Sequence, residues 1–149
     1  MPFSPEDFPD LQLKFANPTA RVYTCEQNQL VYAKWCTNQM NADWDAAVNA
    51  ILNAFETHPH SGYISDASIG LPLSRRMMIA IVKDILPRFR KTKMRYISVI
   101  VPENLSIEMT IQAILNLVPP PYRCRTSENL SESYAWVKEQ QRLALQRTA

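Results

Sequence analysis

The stretch Gly62-Tyr63-Ile64-Ser65-Asp66-Ala67-Ser68-Ile69-Gly70-Leu71-Pro72-Leu73-Ser74 decides how the chain is read. It begins as a short run of β-formers ending in Asp66-x-Ser68, the pattern of a buried strand. A short loop follows, and Ser74 stands where a hydroxyl can cap the next helix. In open α/β sheets, binding sites form beyond the carboxyl ends of such strands. Gly62 and Gly70 are the chain's two glycines. Loops that cradle phosphate need several, so that backbone N–H groups can approach the ligand. A P-loop or GxGxxG turn is therefore excluded, and no cofactor is expected.

Working outward, Leu11 to Phe15 alternates like a half-buried strand. Arg21–Glu26 and Gln29–Cys36 read as two strands joined by a two-residue turn at Gln27-Asn28. Asn41 caps a helix whose apolar stripe is Trp44, Ala47, Val48, Ile51, Leu52 and Phe55, ended by His58-Pro59. After Ser74 a helix should run to about Leu86, burying Met78, Ile81, Val82, Ile85 and Phe89, with Pro87 limiting its end. Tyr96–Val101 is a continuous apolar run, as in a strand covered on both faces. A helix bearing Ile107, Ile111, Ile114, Leu115 and Val118 follows and stops at Pro119-Pro120-Pro121. Tyr122–Arg125 is a short last strand. Asn129 and Glu132 have capping-box spacing before a final helix with Leu130, Tyr134 and Val137 inward.

The order β-β-β-α-β-α-β-α-β-α predicts one α/β domain over residues 11–138, with a mixed sheet of about five strands and about four helices. Residues 1–10 are expected to be flexible, and 139–149 to form a polar helical extension projecting into solvent. Cys25, Cys36 and Cys124 have no ligand spacing and read as buried reduced thiols, which suits a cytoplasmic protein. No apolar run is long enough to cross a membrane. The net charge of +2 does not by itself imply a polyanionic partner.

The hairpin ending near Trp35, Tyr63-Ile64-Ser65-Asp66, the loop into Leu73-Ser74, Tyr96-Ile97-Ser98-Val99-Ile100-Val101-Pro102 and Ala135-Trp136-Val137 carry a resemblance. In this order the chain resembles the SpoIIAA-like fold of STAS domains, within the wider STAS/SEC14-like proteins. The resemblance covers roughly residues 11–138. It implies a non-enzymatic regulatory domain, bacterial and cytoplasmic, that acts by binding a protein partner, with homodimerisation a further expectation. In typical STAS domains the strand-end Asp-x-Ser precedes an Asp-Ser-Ser/Thr-Gly stretch whose serine accepts phosphate. Asp66-Ala67-Ser68 matches the first part, whereas Leu73-Ser74-Arg75-Arg76 replaces the second.

The expected binding or switch surface is therefore Asp66, Ser68, Ser74, Arg75 and Arg76. Plain structural roles compete: Asp66 accepting loop N–H groups, Ser68 in a turn and Ser74 as a helix cap. The alternative is a small-molecule or lipid-binding SEC14-like domain, with an apolar pocket lined by Trp35, Met77 and Met78. His58-x-His60 lacks a third ligand, so no metal is expected, and no base is placed to activate Ser68 or Ser74 as a nucleophile. The basic run from Arg75 to Arg95 suits a peripheral contact with acidic lipid or a solvated loop. With few aromatics interleaved, no nucleic acid is expected.

Overall fold

The computed structural model describes residues 8, 10–37, 39–70 and 72–148. The expectation for residues 1–10 lies almost wholly outside them, as does Leu71 of the decisive stretch. Six strands form one mixed sheet in sequence order: β1 (Gln12–Ala16), β2 (Ala20–Cys25), β3 (Leu30–Trp35), β4 (Gly62–Asp66), β5 (Tyr96–Ile100) and β6 (Arg123–Ser127). The first three pair antiparallel and the last three continue from β3 in parallel. The sheet has one strand more than the expected count of about five: all six segments that read as strands pair, the last over its full five residues with β5. The β2–β3 connection is also longer than a two-residue turn. Cys25 pairs with Leu30, and the four residues between them turn with Gln29 at a positive φ of 52°.

Side-chain alternation divides the core between the two faces of this sheet. On one face, Val22, Val31, Ala33, Tyr63 and Ile97 meet Trp44, Val48, Ile51, Leu52 and Phe55 of α1 (Ala42–Thr57). Asn41 caps that helix, its Oδ1 accepting the Trp44 N–H at 3.1 Å. On the other face, Tyr23, Leu30, Tyr32, Ile64 and Ile100 meet Leu130 and Val137 of the last helix, Leu130–Thr148.

Three helical pieces lie between. α2 (Arg75–Ala80) runs into a π-helical segment (Ile81–Ile85) and then α3 (Leu86–Phe89). The helix thus passes the expected stop. Pro87 lacks an N–H and would clash inside an α-helix, but here it occupies the start of a new helical piece. The wider π turn also shifts the inward register. Met77 and Phe89 are buried, Met78 is half-buried, and Ile81 and Ile85 follow Met77 at intervals of four. A strict four-residue repeat drifts by about 40° per step on an α-helix, and a π turn takes up that drift. α4 (Leu105–Leu115) begins at Asn104, whose Oδ1 accepts the Ile107 N–H at 3.1 Å.

The last helix, α5, seats directly on β4. A Cβ at Gly62 would lie 2.4 Å from Val137 Cγ1. Ser98 and Ser133 hydroxyls are 2.8 Å apart, and Ser133 also bonds Ser127, all three buried. The Asn129 side chain caps the helix through the Glu132 N–H at 2.8 Å. Glu132 does not reach back as a capping box would; it pairs with Arg125 at 2.9 Å. The segment after residue 138 does not simply project. Gln141 Nε2 donates to Asn28 O at 2.9 Å and to Ser61 Oγ at 2.9 Å, tying the polar end to the sheet's amino edge. Of the cysteines, only Cys25 is buried; Cys124 is half-buried and Cys36, beyond the end of β3, is exposed. No helix among the described residues is long and apolar enough to cross a membrane.

Gly62→Ala should cost about 1–3 kcal/mol in urea unfolding, because its methyl group overlaps Val137. Adding Val137→Ala should recover part of that loss, giving a non-additive double-mutant cycle.

Candidate functional site

Alternation along β4 sends Tyr63 and Ser65 to the α1 side, and Ile64 and Asp66 to the α5 side. Ser65 faces Ala33 on β3 and Val99 on β5 across the parallel register. Around it opens an apolar cavity of about 180 Å³. Its floor is β3 to β5, and its walls are α1, the helix from Met77 to Phe89, and α4. Ser65, Val99, Trp35, Ile81 and Ile85 are only half-buried, so the helices do not close fully over the sheet.

The polar atoms inside are few and clustered. The Trp35 indole N–H donates to Ser65 Oγ at 3.0 Å. Burial pushes the Tyr63 phenol up to about 12, with the Ser65 and Trp35 side chains offsetting part of that effect. Thr37 is the remaining polar side chain among the described lining residues, and none of them is charged. Of the residues expected in a pocket, Trp35 and Met77 line this cavity; Met78, one position round the helix, does not. Tyr63, Ser65 and Val99 are not expected in a pocket from sequence, and Ile81, Ile85 and Phe89 are expected only as the buried face of their helix. Two signals pointed to them: the alternation through β4 and β5, and the four-residue repeat 77, 81, 85, 89.

The expected switch surface is divided. Asp66 is buried and turned away from the cavity, accepting from the Tyr32 hydroxyl and from the Ser68 backbone N–H at 3.0 Å. Ser68 is exposed where the chain turns; Gly70 follows at φ 78°. Ser74 Oγ accepts the Met77 N–H at 3.1 Å and so caps α2. Arg75 and Arg76 are exposed in the first turn of that helix. Ser68, Ser74, Arg75 and Arg76 are thus exposed and flank in sequence Ile69 and Leu73, which line the cavity.

The two histidines lie at the other end of β4. Their rings stack with centroids 5.4 Å apart, and His60 also meets the edge of Phe55. His60 is buried with neither ring nitrogen hydrogen-bonded. Burial, then the neighbouring His58, holds its pKa below the ordinary value. No cluster of three metal-ligating side chains occurs among the described residues. Compared with protein-family models, curated proteins and solved structures, the chain matches none.

Because the fold lowers the pKa of His60, the unfolded chain binds a proton more readily. Stability should be level above pH ~6.5 and fall as pH drops below it. Thermal melts between pH 5 and pH 8 should show this slope, roughly, and His60→Leu should reduce it.

Proposed function

We propose that this protein is a non-enzymatic ligand-binding domain whose cavity takes a small, neutral, largely apolar molecule carrying one hydrogen-bonding group. The supporting observation is the polar cluster of Trp35, Ser65 and Tyr63 inside a cavity whose other described lining residues, Thr37 apart, are apolar and none of which is charged. A dry cavity of about 150 Å³ accommodates benzene, so 180 Å³ suits a ligand of one or two rings. With no charged side chain among the described lining residues, a carboxylate or an amine is disfavoured by its desolvation.

Binding rather than chemistry fits the side chains present. A serine becomes a nucleophile through an adjacent base. Ser65 instead accepts a hydrogen bond from an indole, and no histidine, carboxylate or lysine occurs among the described residues that line the cavity. The π-helical segment is consistent with a binding wall, since such turns recur at functional sites.

A regulatory, STAS-like reading has its own support in the exposed Ser68, Ser74, Arg75 and Arg76, which flank the cavity-lining Ile69 and Leu73 in sequence. A protein partner docking there would lose affinity on Arg75→Glu/Arg76→Glu, with ligand binding in the cavity unchanged. Asp66 contributes little to such a surface, because both its oxygens are engaged internally.

Phenol and toluene, nearly equal in shape, test the cavity. Trp35 and Trp44 line it and report occupancy by fluorescence. Both ligands should bind, and Ser65→Ala should weaken phenol by roughly threefold to tenfold while sparing toluene. Ile81→Trp should fill the space and abolish both. If neither ligand perturbs the wild-type protein at millimolar concentration, the proposal fails.

A further inference from the structure

Positive charge gathers at the end of the sheet opposite the Asp66 loop. A cleft of about 770 Å³ opens there between the carboxyl end of α1 and the loop joining α3 to β5. Arg88, Arg90, Lys91, Lys93 and Arg95 line it, against one carboxylate, Glu56, among its described lining residues. The whole chain carries a net +2, so this cleft holds more positive charge than the molecule's net value.

The loop that presents these cations is firmly built. Thr92 is buried, and its hydroxyl and N–H both donate to Phe89 O, at 2.6 and 2.9 Å. The same hydroxyl accepts the Met94 N–H at 3.3 Å, and Met94 is fully buried. Arg95 and Tyr96 N–H groups both reach Ser61 O, at 2.9 and 3.0 Å. Buried Thr92 and Met94 therefore alternate with exposed Lys91 and Lys93, whose side chains leave the loop on its outer side.

The arginines are also oriented. Arg95 donates to Thr92 O at 3.0 Å and to Met94 O at 2.6 Å. Arg88 reaches Asn49 Oδ1 at 3.2 Å and Glu56 at 3.8 Å. The carboxyl end of a helix favours nearby cations, which accounts for Arg88 and Arg90. It does not account for Lys91 and Lys93, which have no carboxylate within ion-pair distance among the described residues. Grouped like charges repel, and an anion in the cleft relieves that repulsion. Guanidinium forks and ammonium groups together match phosphate oxygens. At about 770 Å³ the cleft has room for more than one phosphate group.

We propose that this cleft binds a ligand bearing clustered phosphate groups, either a soluble polyphosphorylated molecule or a phosphorylated lipid head group. The site is separate from the apolar cavity and does not depend on it. Calorimetry with sodium tripolyphosphate, at about 0.1 M salt where the screening length is ~10 Å, tests the soluble form. Co-sedimentation with phosphatidylcholine vesicles, with and without polyphosphoinositide, tests the lipid form. Lys91→Glu/Lys93→Glu should weaken whichever interaction occurs by about tenfold or more. Lys91→Ala/Lys93→Ala should weaken it less. Lys14→Glu/Lys138→Glu changes the net charge equally on other exposed surfaces and should leave binding within about twofold. Binding to tripolyphosphate alone assigns a soluble ligand; binding to the phosphoinositide vesicles, with or without tripolyphosphate, assigns a head group. Absence of both interactions overturns the proposal, as does equal loss in the two glutamate variants. Phenol binding measured in parallel should be unchanged in every variant.

Discussion

The structure depends on the close seat of α5 against β4. On one face of the sheet this helix alone covers β4 to β6, and doing so with a single element requires its side chains to reach the strands directly. Gly62 makes that approach feasible, because Val137 occupies the place of a side chain. Three buried serines bind one another where α5 crosses β5 and β6, satisfying polar atoms that would otherwise be orphaned. Gln141 then ties the helix to the loop before β4. With β4 held in this way, alternation alone turns Tyr63 and Ser65 to the opposite face.

That opposite face is covered differently. α1 packs on β2 and β3, α4 lies toward β6, and the helix containing Met77 and Phe89 spans the gap. Three separate pieces cannot close over the middle of a sheet as tightly as one seated helix. A cavity remains above Ser65 and Val99, floored by the best-buried strands and walled by the most variable helical geometry in the molecule. Protein interiors are normally packed without voids, so an apolar opening of this size marks a place where a ligand's contacts can replace missing internal ones.

The legible parts of the fold were those with local causes. Asn41, Ser74 and Asn129 all cap as their residue types predict, since a cap is made within three residues of itself. The succession of strands and helices along the chain is also readable, because apolar alternation and continuous runs report burial directly. What escaped was set at a distance. Glu132 satisfies capping-box spacing but pairs with Arg125 on the neighbouring strand. In the Met77–Phe89 helix, Ile81, Ile85 and Phe89 face inward as their spacing predicts, but the first inward position is Met77 rather than Met78, because the π segment lets a four-residue repeat keep one face. Asp66 looked available for a ligand, yet Tyr32 from the adjacent strand and the following loop N–H consume it.

Sequence by itself determined an α/β chain with a hairpin, alternating strands and helices, no glycine-rich phosphate loop, and a basic run before β5. Only the tertiary structure decided which residues became a site. Ser65, an unremarked polar position in an apolar strand, meets Trp35 from another strand at the floor of the cavity. Lys91, Lys93 and the neighbouring arginines line a cleft because Thr92 and Met94 are buried between them. Local propensity acts through neighbours in the chain, whereas a cavity or a charged cleft arises where separate elements fail to meet.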